Sequence, residues 1–195
     1  VPKDRKIIFN LKSADVLHSF WIPKIGGKTD LIPNQNNSMW LDTTGVPAGV
    51  YYGQCAELCL GAHAYMRIRF VVDEDAAYES WVTSFQNQQS QALNATVSTS
   101  SDPLVDQGKL LFKQTGCAAC HAVGGYSGGQ IDKPNLTNFG LRTSIAAGVL
   151  DMSQENLEAW LRDPQEVKPT NRMPTLWTTD DPNRDAEVTA IATYL

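Results

Sequence analysis

All four cysteines and all three histidines of this 195-residue chain fall into two groups whose spacing suits metal binding. The first group contains His18, Cys55, Cys59 and His63, followed by Met66, and the second contains Cys117, Cys120 and His121. Thiolates, imidazoles and thioethers are the ligands that copper, iron and zinc prefer in proteins. The sequence therefore predicts two metal centres, and two redox-active centres in one chain indicate electron transfer.

The second group has the spacing of a covalent haem attachment site. Cys117 and Cys120 can form thioether bonds to one porphyrin edge, and the adjacent His121 then lies beneath the iron as an axial ligand. A thioredoxin-like redox pair would not need the histidine. A zinc site would need a second pair of cysteines or histidines, which residues 122–195 lack. The motif therefore predicts one covalently bound haem c.

The iron also needs a ligand on its other face, and no further histidine is available. Ligation by histidine and methionine raises the potential of a haem into the range of electron carriers. We predict Met173, which lies in the irregular sequence Asn-Arg-Met-Pro between two helical patterns. Met152, just before a predicted helix, is the alternative, and a methionine at either place can also serve only to fill the core.

The first group has one cysteine more than a mononuclear blue-copper site, which uses one thiolate, two imidazoles and a weak axial methionine. Cys55 and Cys59 lie on a tight loop and can bridge two copper ions. Each ion then has one imidazole, and Met66 and a main-chain carbonyl are weak outer ligands. A Cys55–Cys59 disulfide, or tetrahedral zinc bound by both cysteines and both histidines, are the alternatives. Neither of them uses the thioether of Met66.

Alternating apolar residues predict the strands that must position the first group. Residues 66–72 alternate with a period of two, and residues 6–11, 38–43 and 50–54 have similar strand character. We therefore expect a β-sandwich that carries the copper ligands on loops at one end. After Asp75 the apolar spacing becomes three and four, which predicts a helix that closes the domain.

The polar composition of residues 86–103 predicts a flexible linker between a first domain, residues 1–85, and a second domain, residues 104–195. Alternatively, the glutamine run extends the preceding helix by a turn or two. The second domain has helical periodicity throughout. One of its helices should begin after Ser153 as N-cap and end at Asp163, before a proline.

The charge of the chain argues against nucleic-acid binding. The formal net charge is −5, whereas surfaces that bind nucleic acids are basic. Most of the acidic excess falls after residue 100, which is consistent with simple solubility or with attraction of a basic donor protein. No stretch approaches the roughly 20 apolar residues of a membrane helix, and Val1 does not begin a signal-peptide pattern.

Several segments resemble a known family. Residues 14–23, the segment Gly-Gln-Cys-Ala-Glu-Leu-Cys and residues 63–66 are similar to the binuclear copper domain of cytochrome c oxidase subunit II. Residues 102–195 resemble the cytochrome c domain that is fused to subunit II in some bacterial oxidases. The resemblance implies an all-β cupredoxin-like sandwich followed by an all-α class I cytochrome c domain.

The resemblance also implies which residue binds which metal. One copper would be held by His18 and Met66 and the other by His63 and the main-chain carbonyl of Glu57, with Cys55 and Cys59 shared. The side chain of Glu57 would face a metal at the boundary with the catalytic subunit. In the second domain, the carbonyl of Pro134 would accept the ring N–H of His121.

The chain departs from the family pattern at three places. Leu60 follows the second copper cysteine where the family usually has glycine, and Lys133 precedes Pro134 where glycine is common. The chain also starts at Val1, without the two membrane helices and the aromatic-rich strand expected upstream. We expect these N-terminal strands and membrane helices to belong to a longer parent protein.

A function in respiration follows from the resemblance. Electrons would pass from a donor cytochrome c or a quinol-oxidising complex to haem c, then to binuclear copper A, and then to a haem in catalytic subunit I of a bacterial haem-copper oxidase. Oxygen reduction would occur in that other subunit. The domains would lie on the periplasmic or outer face of the bacterial cell membrane. A nitric oxide or nitrous oxide reductase is the alternative, and a copper carrier is a non-redox alternative that has no use for a haem motif.

Overall fold

A computed structural model of the chain describes residues 1–94, 100–124, 127–129 and 133–195. The chain divides into two compact units. The first unit contains Val1–Ser84 with Ala147–Val149, and the second contains Phe85–Ala146 with Leu150–Leu195. Among the described residues, no helix is long and apolar enough to cross a membrane.

The first unit is built mainly of strands, as the sequence predicts. Its six strands are β1 (Lys6–Leu11), β2 (His18–Trp21), β3 (Lys28–Leu31), β4 (Asn37–Asp42), β5 (Gly49–Cys55) and β6 (Arg67–Val72). Strands β1 and β4 pair with each other, and the other four form a sheet in the order β3-β2-β5-β6. All of these pairings are antiparallel.

Apolar side chains from both sheets form the core of this unit. The buried residues are Ile22, Leu41, Phe70 and Val72. Phe9 of β1 stacks on Phe20 of β2, with ring centroids 5.4 Å apart, and so joins the two sheets. Strand β6 shows the predicted alternation, since Phe70 and Val72 point inward while Arg67 is exposed. The period-two pattern thus identified β6 correctly.

The predicted linker needs a correction at its start. Helix α1 runs over Asp75–Asn94, so residues 86–94 are helical and not a flexible chain. The glutamine-rich sequence contains no glycine or proline, and glutamine and alanine are good helix formers, so the helix continues beyond the first unit. Residues 95–99 of the predicted linker lie outside the described residues.

The second unit is mainly helical. Its helices are α2 (Pro103–Gln114), α3 (Cys117–Cys120), α4 (Gln154–Arg162), α5 (Pro164–Val167) and α6 (Arg184–Tyr194). Ser153 caps α4 by accepting a hydrogen bond from the Asn156 amide, as predicted. The unit is not purely α, because two pairs of two-residue strands occur: β7 (Ala122–Val123) with β8 (Ser127–Gly128), and β9 (Ser144–Ile145) with β10 (Leu150–Asp151). Such short pairs have no detectable apolar period.

Helices α2 and α6 pack closely around Gly108. A Cβ atom at this position would lie 1.9 Å from the carbonyl oxygen of Ala190 on α6. Phe112, one turn further along α2, is buried and meets the ring of Tyr194 edge-on at 5.7 Å. The packing of these two helices therefore requires a residue without a side chain at position 108.

We expect Gly108→Ala to destabilise the second unit by about 1–3 kcal/mol, because the methyl group must push the two helices apart. The intrinsic preference of helices for alanine, about 1 kcal/mol, opposes this effect and is too small to cancel it. Thermal unfolding of the haem-loaded protein measures the change. Gly140→Ala is the control, since its Cβ would have no neighbour closer than 3.6 Å. Equal unfolding temperatures for the two variants would contradict the proposed packing.

Candidate metal centres

The first group of predicted ligands lies at one end of the four-stranded sheet. His18 is the first residue of β2, Cys55 is the last residue of β5, and Met66 directly precedes β6. Because these strands are neighbours, with Phe20 opposite Cys55, the sheet brings the three residues together. Cys59 lies in the loop between β5 and β6. His63 begins a 3₁₀ turn, His63–Tyr65, that leads back to the sheet.

The ligand atoms of this group are within a few ångströms of one another. The two sulfur atoms of Cys55 and Cys59 are 3.8 Å apart. The Nδ1 atom of His18 is 3.8 Å from Cys55 Sγ, and the Nδ1 atom of His63 is 3.3 Å from Cys59 Sγ. Met66 lines the same cavity as His18 and Cys55. Each thiol is thus paired with one imidazole, as a two-metal site with shared thiolates requires.

The main chain of the loop contributes to the same cluster. The Cys55 thiol donates a hydrogen bond to the carbonyl oxygen of Glu57, over 3.2 Å. This carbonyl therefore faces the sulfur atoms, in the place expected for a weak outer ligand. Both cysteines are free thiols. The geometry consequently fits copper better than a structural disulfide, which would leave the imidazoles and the thioether without a purpose.

An aspartate that the sequence analysis missed holds one of the imidazoles. Asp15 Oδ1 lies 3.0 Å from His18 Nε2, so the Nδ1 atom of the same ring faces Cys55. Burial would lower the pKa of His18, but the hydrogen bonds with Asp15 and Cys55 outweigh it and raise that pKa. A carboxylate on the far nitrogen fixes the ring orientation of a metal-binding histidine. The spacing Asp-x-x-His was the available signal.

The two thiols of the metal-free site differ in acidity. Burial works to raise the pKa of Cys55, but hydrogen bonds with the main chain of Glu57 and Ser19 and with the imidazoles lower it to about 7. Burial and the neighbouring Cys55 raise the pKa of Cys59 to about 11. At neutral pH the pair therefore shares a single negative charge, and metal binding must release the remaining proton.

Titration of the copper-free protein should show this difference. As the pH rises, thiolate absorbance should grow in two separate steps, near pH 7 and near pH 11. In Cys55→Ser the lower step should vanish, and the upper step should move down toward the ordinary thiol value of about 8.5, because the neighbouring charge is gone. The variant that lacks both thiols provides the baseline. A single step involving both thiols would contradict the unequal pair.

The loop between the two cysteines and His63 contains a strained residue. Leu60 has a φ of +61°, in the left-handed region, and its side chain is 75% exposed. Left-handed conformations cost a residue with a side chain roughly 1–2 kcal/mol. No burial compensates for this cost. The glycine that the family usually has at this position would adopt the same conformation without strain.

The second group lies on and after the single turn α3. Cys117 is buried and Cys120 is half-buried, and Gly116 before them has a φ of +88° that favours glycine. His121 follows in extended conformation, and its Nδ1 atom lies 2.9 Å from the carbonyl oxygen of Pro134. The ring therefore donates through Nδ1 and keeps Nε2 for a metal. This arrangement fits a haem bound covalently through both thiols.

Both candidate methionines of the second unit, Met152 and Met173, pack against its buried core. Met152 precedes the N-cap of α4, in regular surroundings. Met173 lies in an irregular segment between α5 and α6, where its main-chain N–H donates to the side chain of Asn171 over 2.7 Å. The structure thus places Met173 on a segment whose conformation is fixed by side chains and not by a helix.

Comparison with known proteins identifies two families within the chain. The family described as cytochrome c oxidase subunit II, periplasmic domain, matches residues 1–74. The cytochrome c family matches residues 105–195. Together these matches include every predicted ligand of both metal centres.

Individual relatives agree with this division. Cytochrome c oxidase subunit 2 of Alkalihalophilus pseudofirmus is 42% identical over 174 residues, which cover 89% of this chain and 47% of that protein. The protein of the same name from Bacillus subtilis is 37% identical over 202 residues, which cover 100% of this chain and 53% of that protein. The chain therefore spans about half the length of the curated relatives it matches.

Among solved structures, the periplasmic domain of subunit II of cytochrome oxidase from Bradyrhizobium japonicum is 39% identical. The match covers 45% of this chain and 62% of that chain, with a TM-score of 0.43. The sequence matches carry the assignment. Residues 1–74 belong to the family of cytochrome c oxidase subunit II periplasmic domains and residues 105–195 to the cytochrome c family, which confirms the resemblance found in the sequence.

Proposed function

We propose that this chain is the part of a bacterial terminal oxidase through which electrons enter, with haem c as the first centre and binuclear copper A as the second. The observation that carries the proposal is the presence of both donor sets in one chain. Two thiols and two imidazoles lie within 3.3–3.8 Å of their neighbours in the first unit. A Cys-x-x-Cys-His turn with an oriented histidine lies in the second.

The first donor set suits a pair of copper ions. We assign His18 and Met66 to one ion, His63 and the carbonyl of Glu57 to the other, and both thiolates to the pair. Such a pair, when bound, shares one electron between two metals, so that little geometry changes on transfer. The chain's own contribution is rigidity: Asp15 fixes one imidazole, and antiparallel strands fix Cys55 and the residue before β6.

The second donor set suits a single covalent haem. Cys117 and Cys120 supply the thioether bonds, His121 is one axial ligand, and we assign Met173 as the other. The Pro134 carbonyl accepts the N–H of His121 and so sets the ring orientation. Methionine as the second ligand supplies a potential suited to accepting electrons from a soluble or membrane-bound donor.

The names of the relatives support an oxidase as the destination of the electrons. We propose that catalytic subunit I receives them and reduces oxygen, and that a donor cytochrome c or a quinol-oxidising complex supplies them. The chain would act on the periplasmic or outer face of the bacterial membrane, where the rest of the parent protein anchors it. A nitric oxide or nitrous oxide reductase would differ in its partner subunit.

Anaerobic electron transfer tests the proposed order of the two centres. The haem is reduced selectively by a light pulse in the copper-loaded, oxidised protein, and the haem and copper absorbances are followed together. Haem oxidation should occur with the same rate as copper reduction, and the rate should not depend on protein concentration. A haem that stays reduced while the copper stays oxidised would overturn the proposed path. Oxygen uptake by the chain alone would overturn the assignment of oxygen reduction to another subunit.

A further inference from the structure

The segment that carries Met173 lacks regular secondary structure but has an unusual set of hydrogen bonds. It connects α5 to the buried Trp177. Two side-chain amides, those of Gln165 and Asn171, make five hydrogen bonds to main-chain atoms of this region. We call these two residues the amide clamp. Neither residue is a predicted metal ligand, so these bonds need another explanation.

Asn171 uses both ends of its side chain. Its Nδ2 atom donates to the carbonyl oxygens of Pro164 and Lys168, each over 2.7 Å. Its Oδ1 atom accepts from the main-chain N–H of Met173, also over 2.7 Å. An asparagine offers two donors and one acceptor oxygen, so both donors and the oxygen are engaged. The side chain therefore ties α5 directly to the main chain of Met173.

Gln165 closes the other side of the same residue. Its Nε2 atom donates to the carbonyl oxygen of Met173 over 2.8 Å and to that of Asn171 over 3.1 Å. The N–H and the C=O of Met173 are thus both bound by side chains of the clamp. Both clamp residues are half-buried, where competition from water is reduced.

Asp163 anchors the clamp from the helix that precedes it. One carboxylate oxygen of Asp163 accepts the main-chain N–H of Gln165 and the hydroxyl of Thr175, each over 2.9 Å. Thr175 lies two residues after Met173, so the segment is tied to the start of α5 on both sides of the methionine. These bonds lower the pKa of Asp163, the contact with Thr175 contributing most.

The segment is also strained in a way that needs such a restraint. Thr170, which directly precedes Asn171, has a φ of +63°. A β-branched residue in the left-handed region is a genuine outlier and persists only where the surrounding structure enforces it. Thr170 is exposed, so packing does not enforce it. The hydrogen bonds of the neighbouring Asn171 are the restraint present in the structure.

We propose that Gln165 and Asn171 are positioning residues that hold Met173 as the sixth ligand of the haem iron and limit its replacement by other ligands. This inference rests on the proposed assignment of Met173. The geometry favours it because the clamp acts on the main chain of that single residue, whereas Met152 lies outside it. Opening the segment requires breaking the clamp, and the clamp therefore sets the fraction of protein with an open iron site.

The test is the binding of imidazole to the oxidised, haem-loaded protein. Imidazole binds only when Met173 has left, so its apparent affinity reports the open fraction. In Gln165→Ala the loss of two hydrogen bonds should raise that affinity about tenfold. Asn171→Ala, which loses three bonds, should raise it at least as much. The absorption band of methionine-ligated ferric haem should weaken in both variants, while the amount of covalently bound haem should not change.

Two further variants keep the test decisive. Gln165→Glu preserves size but cannot donate to either carbonyl oxygen at neutral pH, so it should match or exceed the effect of Gln165→Ala even if the alanine variant folds poorly. Gln154→Ala is the matched control, because Gln154 is exposed on α4 and bonds only side chains among its described contacts. It should bind imidazole as the unmodified protein does.

The outcomes separate this inference from the assignment on which it rests. If Met173→Ala leaves imidazole binding and the ferric spectrum unchanged, Met173 is not the ligand and both fall. If Met173→Ala opens the iron but the three clamp variants behave like Gln154→Ala, the ligand assignment stands and the clamp is wrong. A tenfold effect in the clamp variants alone, without one in the control, supports the proposal.

Discussion

Replacing Cys55 by serine should reduce the bound copper from two ions to one and weaken the binding of the remaining ion. Cys55 contacts Cys59, His18 and the Glu57 carbonyl, so its sulfur is the atom common to most of the cluster. Changes in residues that only support a metal ligand cost roughly 10–100-fold in affinity. We expect loss of a shared ligand to exceed about 100-fold, measured by competition with a chelator of known affinity.

Leu60→Gly is the control on the same loop. It removes an exposed side chain but leaves every donor atom, so copper binding should persist, and relief of the left-handed strain should stabilise the loop by up to about 1 kcal/mol. Retention of two copper ions in Cys55→Ser would show that its sulfur is not shared. Equal loss of copper in Leu60→Gly would show that loop shape, and not the thiolate, determines binding.

Replacing Met173 by alanine should leave the haem attached and lower its reduction potential. The thioether bonds through Cys117 and Cys120 do not depend on the sixth ligand. Loss of the methionine should convert the iron from low-spin to a form that binds water or added ligands. Axial ligands span roughly 0.8 V in haem proteins, and we expect a fall on the order of 0.1–0.2 V, measured by redox titration.

Met152→Ala is the matched control, because Met152 packs against the same core. It should lose stability by about 2–5 kcal/mol if the cavity stays open, without a change in iron spectrum. The reverse pattern, an altered spectrum in Met152→Ala and an unchanged one in Met173→Ala, would assign the sixth ligand to Met152. The two variants therefore distinguish a ligand from a core residue.

Spacing in the sequence was enough to predict which residues of each centre come together. Cys55, Cys59 and His63 lie close in the chain, and the Cys-x-x-Cys-His motif is local, so little folding is needed to assemble either set. His18 is distant in sequence, and its place was available only from the family resemblance. In the structure, pairing of β2 with β5 brings it to Cys55. Strands β2 and β3 have four residues each, too few to show a period.

The supporting residues could not be predicted, because they depend on hydrogen-bond geometry. Asp15 is useful only since the loop before β2 turns its carboxylate toward His18. Gln165 and Asn171 read as ordinary polar residues until the segment after α5 folds back on itself. The flexible linker was predicted wrongly over residues 86–94 for a related reason: polar composition indicates solvent exposure, but an exposed glutamine-rich segment can equally be a helix.

The central claim is that Cys55 and Cys59 hold two copper ions as one redox centre, and electron paramagnetic resonance of the oxidised, copper-loaded protein tests it most directly. A single unpaired electron shared equally by two copper nuclei gives a hyperfine pattern with more lines and smaller splittings than one nucleus does. We predict the shared pattern, with about two copper ions per chain by metal analysis and its loss in Cys55→Ser. The simple pattern of an isolated copper, at one ion per chain, would contradict the account.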